Sequence, residues 1–139
     1  MRIRKATKRD ILKLIMIVKG VKSIEDYPGE YNKLLFEGIL KDKDTILLVA
    51  EIDKEIVGFE EIKIDRKAKR IYGESLAVSK KFRGKGVGKQ LFSKLEGYAK
   101  KYNIKRISLL VREWNIPMNK LAKSNNYKIS DKFNFWEKK

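Results

Sequence analysis

Residues 76 to 91 constrain the fold of this chain more than any other part of its sequence. The apolar run Leu76-Ala77-Val78 is followed by a polar turn rich in glycine and lysine, and then by apolar residues at helical spacing. This order predicts a strand that ends in a glycine turn and continues into the first turn of a helix. The first N–H groups of a helix lack partners within it and lie at the positive end of its dipole. The segment therefore predicts a site for an anion such as a phosphate.

The residues of the turn suit the approach of a phosphate. Gly86 and Gly88 have no Cβ, so a bulky anion can come close to the main chain. Three cations lie in sequence beside the glycines, at Arg83, Lys85 and Lys89. The composition of the turn favours an anion site, with a purely structural glycine turn as the alternative.

Two other glycine motifs fit these residues less well. A P-loop has Ser or Thr directly after its Gly-Lys pair, whereas this chain has Gln90 there. The dinucleotide-binding fingerprint requires a third glycine at the position of Leu91. Neither of these two nucleotide-binding motifs is therefore predicted.

Apolar spacing divides the rest of the chain into strands and helices. Helices are predicted at residues 7–19, 28–39, 86–102 and 115–124, and strands at 2–5, 46–52, 56–64, 70–79, 106–111, 127–130 and 133–137. In the second helix, Leu34 and Leu35 are predicted to lie on the apolar side with Tyr31 and Ile39. The order of elements predicts one α/β domain over residues 1–139, with a central mixed sheet of about six to seven strands and helices on both faces.

Composition excludes several kinds of chemistry. The chain has neither cysteine nor histidine, so disulfides, thiol nucleophiles, Cys/His metal sites and imidazole bases are ruled out, and we expect no metal. Its net charge is +16, from 34 Lys and Arg against 18 Asp and Glu. Because the lysines are spread along the chain, a solvated basic surface is favoured over an acidic substrate or partner, and nucleic-acid binding is the third alternative.

The most apolar N-terminal stretch gives no sign of a membrane segment. It runs from Ile11 to Val21, is interrupted by Lys13 and Lys19, and has no small-residue cleavage site after it. A cytoplasmic protein is expected.

The glycine turn and its surroundings resemble the GNAT superfamily of acetyl-coenzyme A-dependent N-acetyltransferases. The pyrophosphate loop of that family reads Arg/Gln-x-x-Gly-x-Gly/Ala, which residues 83–88 match, and it follows a strand that ends Leu-Ala-Val, as at 76–78. The downstream Val111-Arg112 and Asn115 align as well, as do the N-terminal Ile-Arg-Lys-Ala-Thr and the strand at residues 57–59. The resemblance covers essentially the whole chain with correct spacing.

The resemblance implies acetyl-coenzyme A as the cosubstrate and assigns residues to it. The backbone of the strand Leu76-Ala77-Val78 would lie along the pantetheine arm, and the N–H of Leu76 would polarise the thioester carbonyl. Asn115 would contact the pantetheine, cap the following helix, or do both. The pyrophosphate would be held by the turn, with the amides of Arg83, Gly84, Lys85, Gly86, Val87 and Gly88 and the charge of Lys89.

The acceptor amine must lose a proton before it can attack, and without histidine the base must be a carboxylate, a tyrosinate or a chain of waters. Glu74 lies two residues before Leu76 on the same strand, and Glu60 and Glu61 lie on the neighbouring one. If the intervening turn centres near Lys67, Glu60 faces Glu74, and two like charges so close raise the pKa of one of them. Glu74 is the predicted base and Glu60 its partner, with surface carboxylates paired to lysines as the alternative.

Two positions depart from the family pattern. The family often has a tyrosine seven residues after the asparagine, where it protonates the leaving thiolate, and this chain has Ala122. The family's Gly-Phe pair is Asn126-Tyr127 here. Tyr127 is predicted to be a core residue, with a role as a substitute acid as the alternative.

The predicted function is acetyl transfer from acetyl-coenzyme A directly to a primary amine in a ternary complex. The amine is expected to belong to a small molecule, a peptide N-terminus or a lysine side chain. An acidic molecule and a protein or peptide are both considered as the acceptor that carries it. A non-catalytic acyl-coenzyme A-binding module, suggested by Ala122, and a nucleic-acid-binding protein are the other functions considered. Specificity is expected from residues 22–27, the second helix and the last hairpin, whose short turn at Asp131-Lys132 leaves the site open. The protein is expected to be a monomer or a homodimer.

Overall fold

Five strands form one mixed sheet in the computed structural model, which describes residues 1–21 and 31–138. The strands are β1 (Arg2–Lys5), β2 (Thr45–Ile52), β3 (Glu55–Asp65), β4 (Arg70–Val78) and β5 (Arg106–Leu109). They lie side by side in the order of the chain, the first four antiparallel and β5 parallel to β4. The turn between β2 and β3 is tight, because its two residues, Asp53 and Lys54, adopt positive φ angles of 48° and 65°.

Helices cover both faces of the sheet. They are α1 (Ile11–Lys19), α2 (Lys33–Lys41), α3 (Val87–Lys101) and α4 (Ile116–Ser124), and short 3₁₀ turns precede α1 and follow β4. Each lies at a predicted position, and the predicted α/β class with helices on both faces is confirmed. Within the residues described, no helix combines the length and the apolarity needed to cross a bilayer.

Two apolar clusters hold the helices to the sheet. On one face, α1 and α2 pack on the sheet through residues such as Leu14, Phe36 and Phe59, each fully buried. On the other face, α3 packs through Leu91 and Phe92, again fully buried. Burying a side chain of this size stabilises a fold by about 1.5–3 kcal/mol. The sheet is therefore fixed from both sides, and its edges are left to form the site.

The start of α1 is fixed by a partly buried ion pair. The Arg4 guanidinium donates to both oxygens of the Asp10 carboxylate, at 2.8 and 3.0 Å, and the N–H of Thr7 donates to the same carboxylate at 2.8 Å. Asp10 is only 6% exposed, and through these bonds it joins β1 to the helix.

The sheet has fewer strands than predicted, because the two strands expected at 127–130 and 133–137 are wrong. The described residues from 125 to 138 contain no strand. The N–H of Tyr127 bonds to the carbonyl of Ala122 at 3.1 Å, and the Tyr127 ring packs on Phe92 with centroids 5.3 Å apart. These contacts hold Tyr127 to the end of α4 and to α3, and the apolar residues that follow, such as Phe133 and Phe135, stay exposed.

The second helix also differs from its prediction. Phe36 and Ile39 are buried, whereas Leu34 is 77% exposed and Leu35 is 38% exposed. Asn32 begins the helix, and its side-chain oxygen accepts from the N–H of Leu35 at 2.9 Å. The predicted start at residue 28 and the specificity loop at 22–27 lie outside the described residues.

Candidate active site

The edge of β4 is open over its last residues. β5 pairs with β4 only from Arg70 to Gly73, while β4 continues to Val78. In the described ranges, no other strand lies beside the end of β4 on that side. The sheet thus has a gap into which an extended molecule can be placed like an additional strand.

The main chain of β4 presents polar groups to this gap. The N–H of Ser79 donates to the carbonyl of Val57 on β3 at 2.8 Å. Because successive residues of a strand point their N–H and C=O groups to opposite sides, those of Leu76 and Val78 point away from β3. The structure therefore places both residues with their backbone groups toward the gap.

The glycine turn lies at the same end of β4. Gly84 and Gly86 adopt left-handed φ angles of 73° and 82°, which glycine takes far more readily than other residues. Gly86 begins α3 without a side-chain cap, and the first bond within the helix runs from the N–H of Gln90 to the Gly86 carbonyl at 3.1 Å. The N–H groups of Val87, Gly88 and Lys89 precede that bond, so they remain available to an anion.

Gly88 brings the helix against the strand. A Cβ added there lies 3.5 Å from the Leu76 side chain and 3.7 Å from that of Val78. A methyl group fits at these distances, but a larger side chain fills the junction. The predicted anion site and the open edge of β4 therefore form one continuous surface.

Arg83 has a structural role that its sequence pattern did not indicate. Its guanidinium donates to the Val78 carbonyl at 3.0 Å and to the Gly20 carbonyl at 2.8 Å. It therefore ties the glycine turn to the end of β4 and to the end of α1. The exposed Lys85 and Lys89 supply the remaining positive charge near the turn.

Asn115 lies at the start of α4. Its side-chain oxygen accepts from the N–H of Met118 at 3.3 Å, which is the capping role predicted as one alternative. The family-based role of Asn115 stays a prediction.

The predicted pairing of Glu60 with Glu74 is wrong. Glu60 lies opposite Leu76, and Glu61 lies opposite Ser75, but Ile62 lies opposite Gly73. Glu74 is therefore the additional residue of a β-bulge, and the register changes by one residue there. A register estimated from the turn alone could not include that change.

Glu60 is buried among the residues that face α3. It is 1% exposed, and one of its carboxylate oxygens has no hydrogen-bond partner among the described residues. Burial raises the pKa of Glu60 to about 8. The Tyr127 hydroxyl is buried as well and has no hydrogen-bond partner among the described residues. Burial is the largest cause that raises the pKa of Tyr127, and the negative charges of Glu96 and Glu60 add to it.

A cavity of about 720 Å³ lies on the opposite face, between α2 and the β3–β4 pair. Glu61 and Glu74 line it beside the exposed Leu34 and Leu35. A neighbouring cavity of about 640 Å³ shares three lining residues with it and adds further carboxylates; the residues shared are Asp42, Lys63 and Glu74. No three carboxylates of the described residues converge as ligands for a metal ion.

Glu61 is the polar centre of this cavity, and sequence reasoning did not select it. The Tyr31 hydroxyl donates to the Glu61 carboxylate at 3.4 Å and also forms a hydrogen bond with the Ser75 hydroxyl. Burial, followed by the negative charge of Glu74, raises the pKa of Glu61 to about 7. Adjacent residues of a strand point to opposite faces, and of the neighbours Glu60 and Glu61 on β3 it is Glu61 that lines the cavity.

Comparison with known proteins gives one family and one fold. The family model described as "Acetyltransferase (GNAT) family" matches residues 11–127. No curated protein matches the chain significantly.

Many solved structures share the fold at low sequence identity. A PaiA N-acetyltransferase from Thermoplasma acidophilum, in complex with coenzyme A, is 24% identical with a TM-score of 0.83 over 95% of this chain and 92% of that chain. A transcriptional regulator from Bacillus halodurans is 23% identical with a TM-score of 0.81 over 98% of each chain. The aminoglycoside N-acetyltransferase AAC(6')-Iy, in complex with coenzyme A, is 17% identical with a TM-score of 0.78 over 99% of each chain.

Proposed function

The chain belongs to the GNAT acetyltransferase family, and on this premise we propose that it moves the acetyl group of acetyl-coenzyme A directly to an amine in a ternary complex. One observation carries the proposal: the open edge of β4 meets the uncapped N-terminus of α3 at a glycine turn. That surface offers strand-like hydrogen bonds and an anion site in succession. A long molecule with a polar amide arm and a pyrophosphate needs both.

The main chain holds the coenzyme in this proposal. The N–H groups at the start of α3, with Lys85 and Lys89, bind the pyrophosphate. The backbone of Leu76 and the N–H of Val78 bond to the pantetheine arm, while the Val78 carbonyl accepts from Arg83. The Leu76 N–H stabilises the oxyanion that forms on the thioester carbonyl. Arg83 supports the turn through its two carbonyl contacts.

The cavity beside β4 receives the acceptor. Three carboxylates and one lysine, Lys63, are the charged residues that line it, so although the chain as a whole carries +16, an amine with positive charge fits it better than an acidic molecule. The exposed Leu34 and Leu35 give the carbon chain of the acceptor an apolar wall. A relative of the same fold, AAC(6')-Iy, has been solved with a bisubstrate analogue of coenzyme A and an acetylneamine, which also supports a cationic amine acceptor.

The leaving thiolate takes its proton from water in this proposal. Ala122 has no group that can donate one, and the Tyr127 hydroxyl is buried against α3. A thiol of ordinary pKa, about 8.5, is a fair leaving group without help from a protein acid. Loss of the family tyrosine therefore slows the reaction without stopping it.

A turnover screen tests the function. Acetyl-coenzyme A is mixed with polyamines, amino acids, aminoglycosides and peptides, release of free thiol is followed, and calorimetry measures coenzyme affinity in parallel. We expect acetylation of cationic amines in preference to acidic ones. Coenzyme binding without acetylation of any amine would favour the non-catalytic module, and tight duplex binding with steep salt dependence would favour the nucleic-acid alternative.

A further inference from the structure

We propose that Glu61, held in place by Tyr31, is the general base that accepts the proton of the acceptor ammonium. The inference rests on the proposed function and assigns a catalytic residue to it. It stands on the position of Glu61 in the cavity, on its hydrogen-bonded neighbours and on its place in the sheet.

Its place in the sheet puts Glu61 next to the reacting end of the coenzyme site. Glu61 lies directly opposite Ser75, which precedes Leu76 on β4. Cross-strand partners have their side chains on the same face, with Cβ atoms about 4.5–5.5 Å apart. An acceptor in the cavity therefore has Glu61 on one side and the open edge of β4 on the other.

The hydrogen bonds around Glu61 orient its carboxylate. Tyr31 bonds to both Glu61 and Ser75, so the phenol bridges β3 and β4. One oxygen of the carboxylate accepts from the phenol, and no side chain of the described residues is seen to donate to the other, which we assign to the substrate proton. A carboxylate held in this way needs little rearrangement before it acts as a base.

The charges that face Glu61 place its titration where a base is useful. Burial contributes most, and Glu74 on β4 and Asp42 at the end of α2 add negative charge that raises its pKa. Tyr31 and Lys63 act in the opposite direction by stabilising the carboxylate. A base that is half-ionised near neutral pH combines availability with proton affinity.

The proton balance of the reaction assigns one proton to Glu61. The acceptor enters as an ammonium and gives one proton to the carboxylate, which leaves a neutral amine with a lone pair. That pair forms the C–N bond, the C–S bond then breaks, and the thiolate leaves. The nitrogen of the intermediate loses its second proton to water while the thiolate takes one from water. The products are the amide, the free thiol and one proton, which Glu61 finally returns to solvent.

The two other glutamates are less well placed for this role. The side chain of Glu60 is buried on the face that packs against α3, whereas the cavity lies on the opposite face. Glu74 lines the cavity but is exposed in the bulge, where its charge attracts the ammonium. The role of Glu74 as the base, predicted from sequence, is the competing assignment that the experiment must separate.

The experiment compares pH profiles of kcat, with acetyl-coenzyme A and 1,4-diaminobutane or the best amine of the screen at saturation. In the unmodified chain we expect kcat to fall tenfold per pH unit below about pH 7, as Glu61 gains its proton. Glu61→Gln should lower kcat by about 10²–10⁴-fold and remove this acid limb, with coenzyme affinity unchanged. Glu37→Gln, on α2 and paired with Lys33, is the matched control and should retain the profile.

Two further variants should move the limb in opposite directions. Glu74→Gln removes a negative charge, so the limb should shift to lower pH. Tyr31→Phe removes a hydrogen bond to the carboxylate, so the limb should shift to higher pH. If Glu74→Gln abolishes the limb while Glu61→Gln retains it, Glu74 is the base and our inference is wrong.

A spectroscopic titration tests the assignment of Glu61 independently of the proposed acetyltransferase function. In protein with ¹³C-labelled glutamate carboxyls, the resonance that is absent from Glu61→Gln should titrate near pH 7 in the unmodified chain and lower in Glu74→Gln. A midpoint near 4.5, the ordinary value for glutamate, would overturn the assignment even if amines are acetylated. Failure of the whole screen would instead overturn the proposed function.

Discussion

Gly88 is the residue at which the anion site and the open edge of β4 meet. A Cβ added at Gly88 would be in van der Waals contact with Leu76 and Val78, at 3.5 and 3.7 Å, so a larger side chain would crowd the junction between helix and strand. We therefore expect Gly88→Trp to weaken acetyl-coenzyme A binding at least 100-fold, as measured by calorimetry, because the indole occupies the pyrophosphate position. Gly97→Trp is the control, since Gly97 lies in the same helix with open space around it. If both variants bound acetyl-coenzyme A with equal affinity, the coenzyme would not bind at this turn.

The burial of Glu60 leads to a second prediction, which concerns the pH dependence of stability. Its pKa is raised to about 8 in the folded state from 4.5, so the folded chain binds a proton that the unfolded chain has lost. Its contribution is complete below about pH 4.5 and is lost as the pH rises through about 8. We expect Glu60→Gln to match the unmodified chain near pH 4.5 and to be more stable by a few kcal/mol, in order of magnitude, at pH 9. Urea unfolding at the two pH values checks this, and an equal difference at both would contradict it.

The contrast between Glu60 and Glu61 shows that the position of a residue in the sequence does not by itself determine the surroundings of its side chain. The sequence pointed to Glu74 as the base with Glu60 as its partner, and Glu61 was noted only as the neighbour of Glu60 on the same strand. It did not show which of them share a face, because that depends on the bulge at Glu74. A bulge arises from both strands and their packing together, so no pattern within one strand predicts it.

At the scale of elements, the start of α1 depends on Asp10. Arg4 holds the pKa of Asp10 below its usual value, so this contribution to stability is present above about pH 4 and is lost as the pH falls through the lowered pKa. We expect Asp10→Asn to lower the free energy of unfolding by about 1–3 kcal/mol at pH 7, because an amide cannot accept three charge-assisted bonds. Urea unfolding measures it.

The exposed Asp131→Asn provides the control for Asp10→Asn. It lies in the irregular C-terminal part of the chain and should change stability by less than about 0.5 kcal/mol. A similar loss in both variants would mean that the partly buried pair between Arg4 and Asp10 adds nothing beyond surface charge.

Elements with a complete pattern of their own were predicted well. β2, β3 and α3 each carry a full period of apolar residues, and each lies within about two residues of its expected ends. The segments at 127–130 and 133–137 have the residue types of strands but no helix over them, and their aromatic residues stay exposed. β-propensity describes how a side chain fits a half-buried surface, so it fails where no such surface is offered.

At the scale of the whole molecule, the charge is divided between a basic exterior and an acidic cavity. The chain carries +16, yet among the described residues the two cavities near β4 are lined by more carboxylates than cations. The carboxylates are Asp42, Asp44, Glu61, Asp65 and Glu74, and the cations are Lys63, Arg66 and Lys67. Net charge alone favoured a solvated basic surface and left an acidic substrate or partner as an alternative, whereas the local arrangement favours a cationic acceptor. The basic exterior suits the phosphates of the coenzyme instead.

This division predicts that salt weakens coenzyme binding. The Debye length shortens from about 10 Å at 0.1 M salt to about 3 Å at 1 M, which screens the exposed lysines but not the main-chain N–H groups at the start of α3. We expect the Kd for coenzyme A, measured by calorimetry, to rise roughly 3–10-fold between about 0.05 and 0.5 M KCl. Coenzyme A without its 3′-phosphate carries less charge and should show a smaller change. If both ligands bind equally at all salt concentrations, the lysines contribute nothing and the N–H groups hold the anion alone.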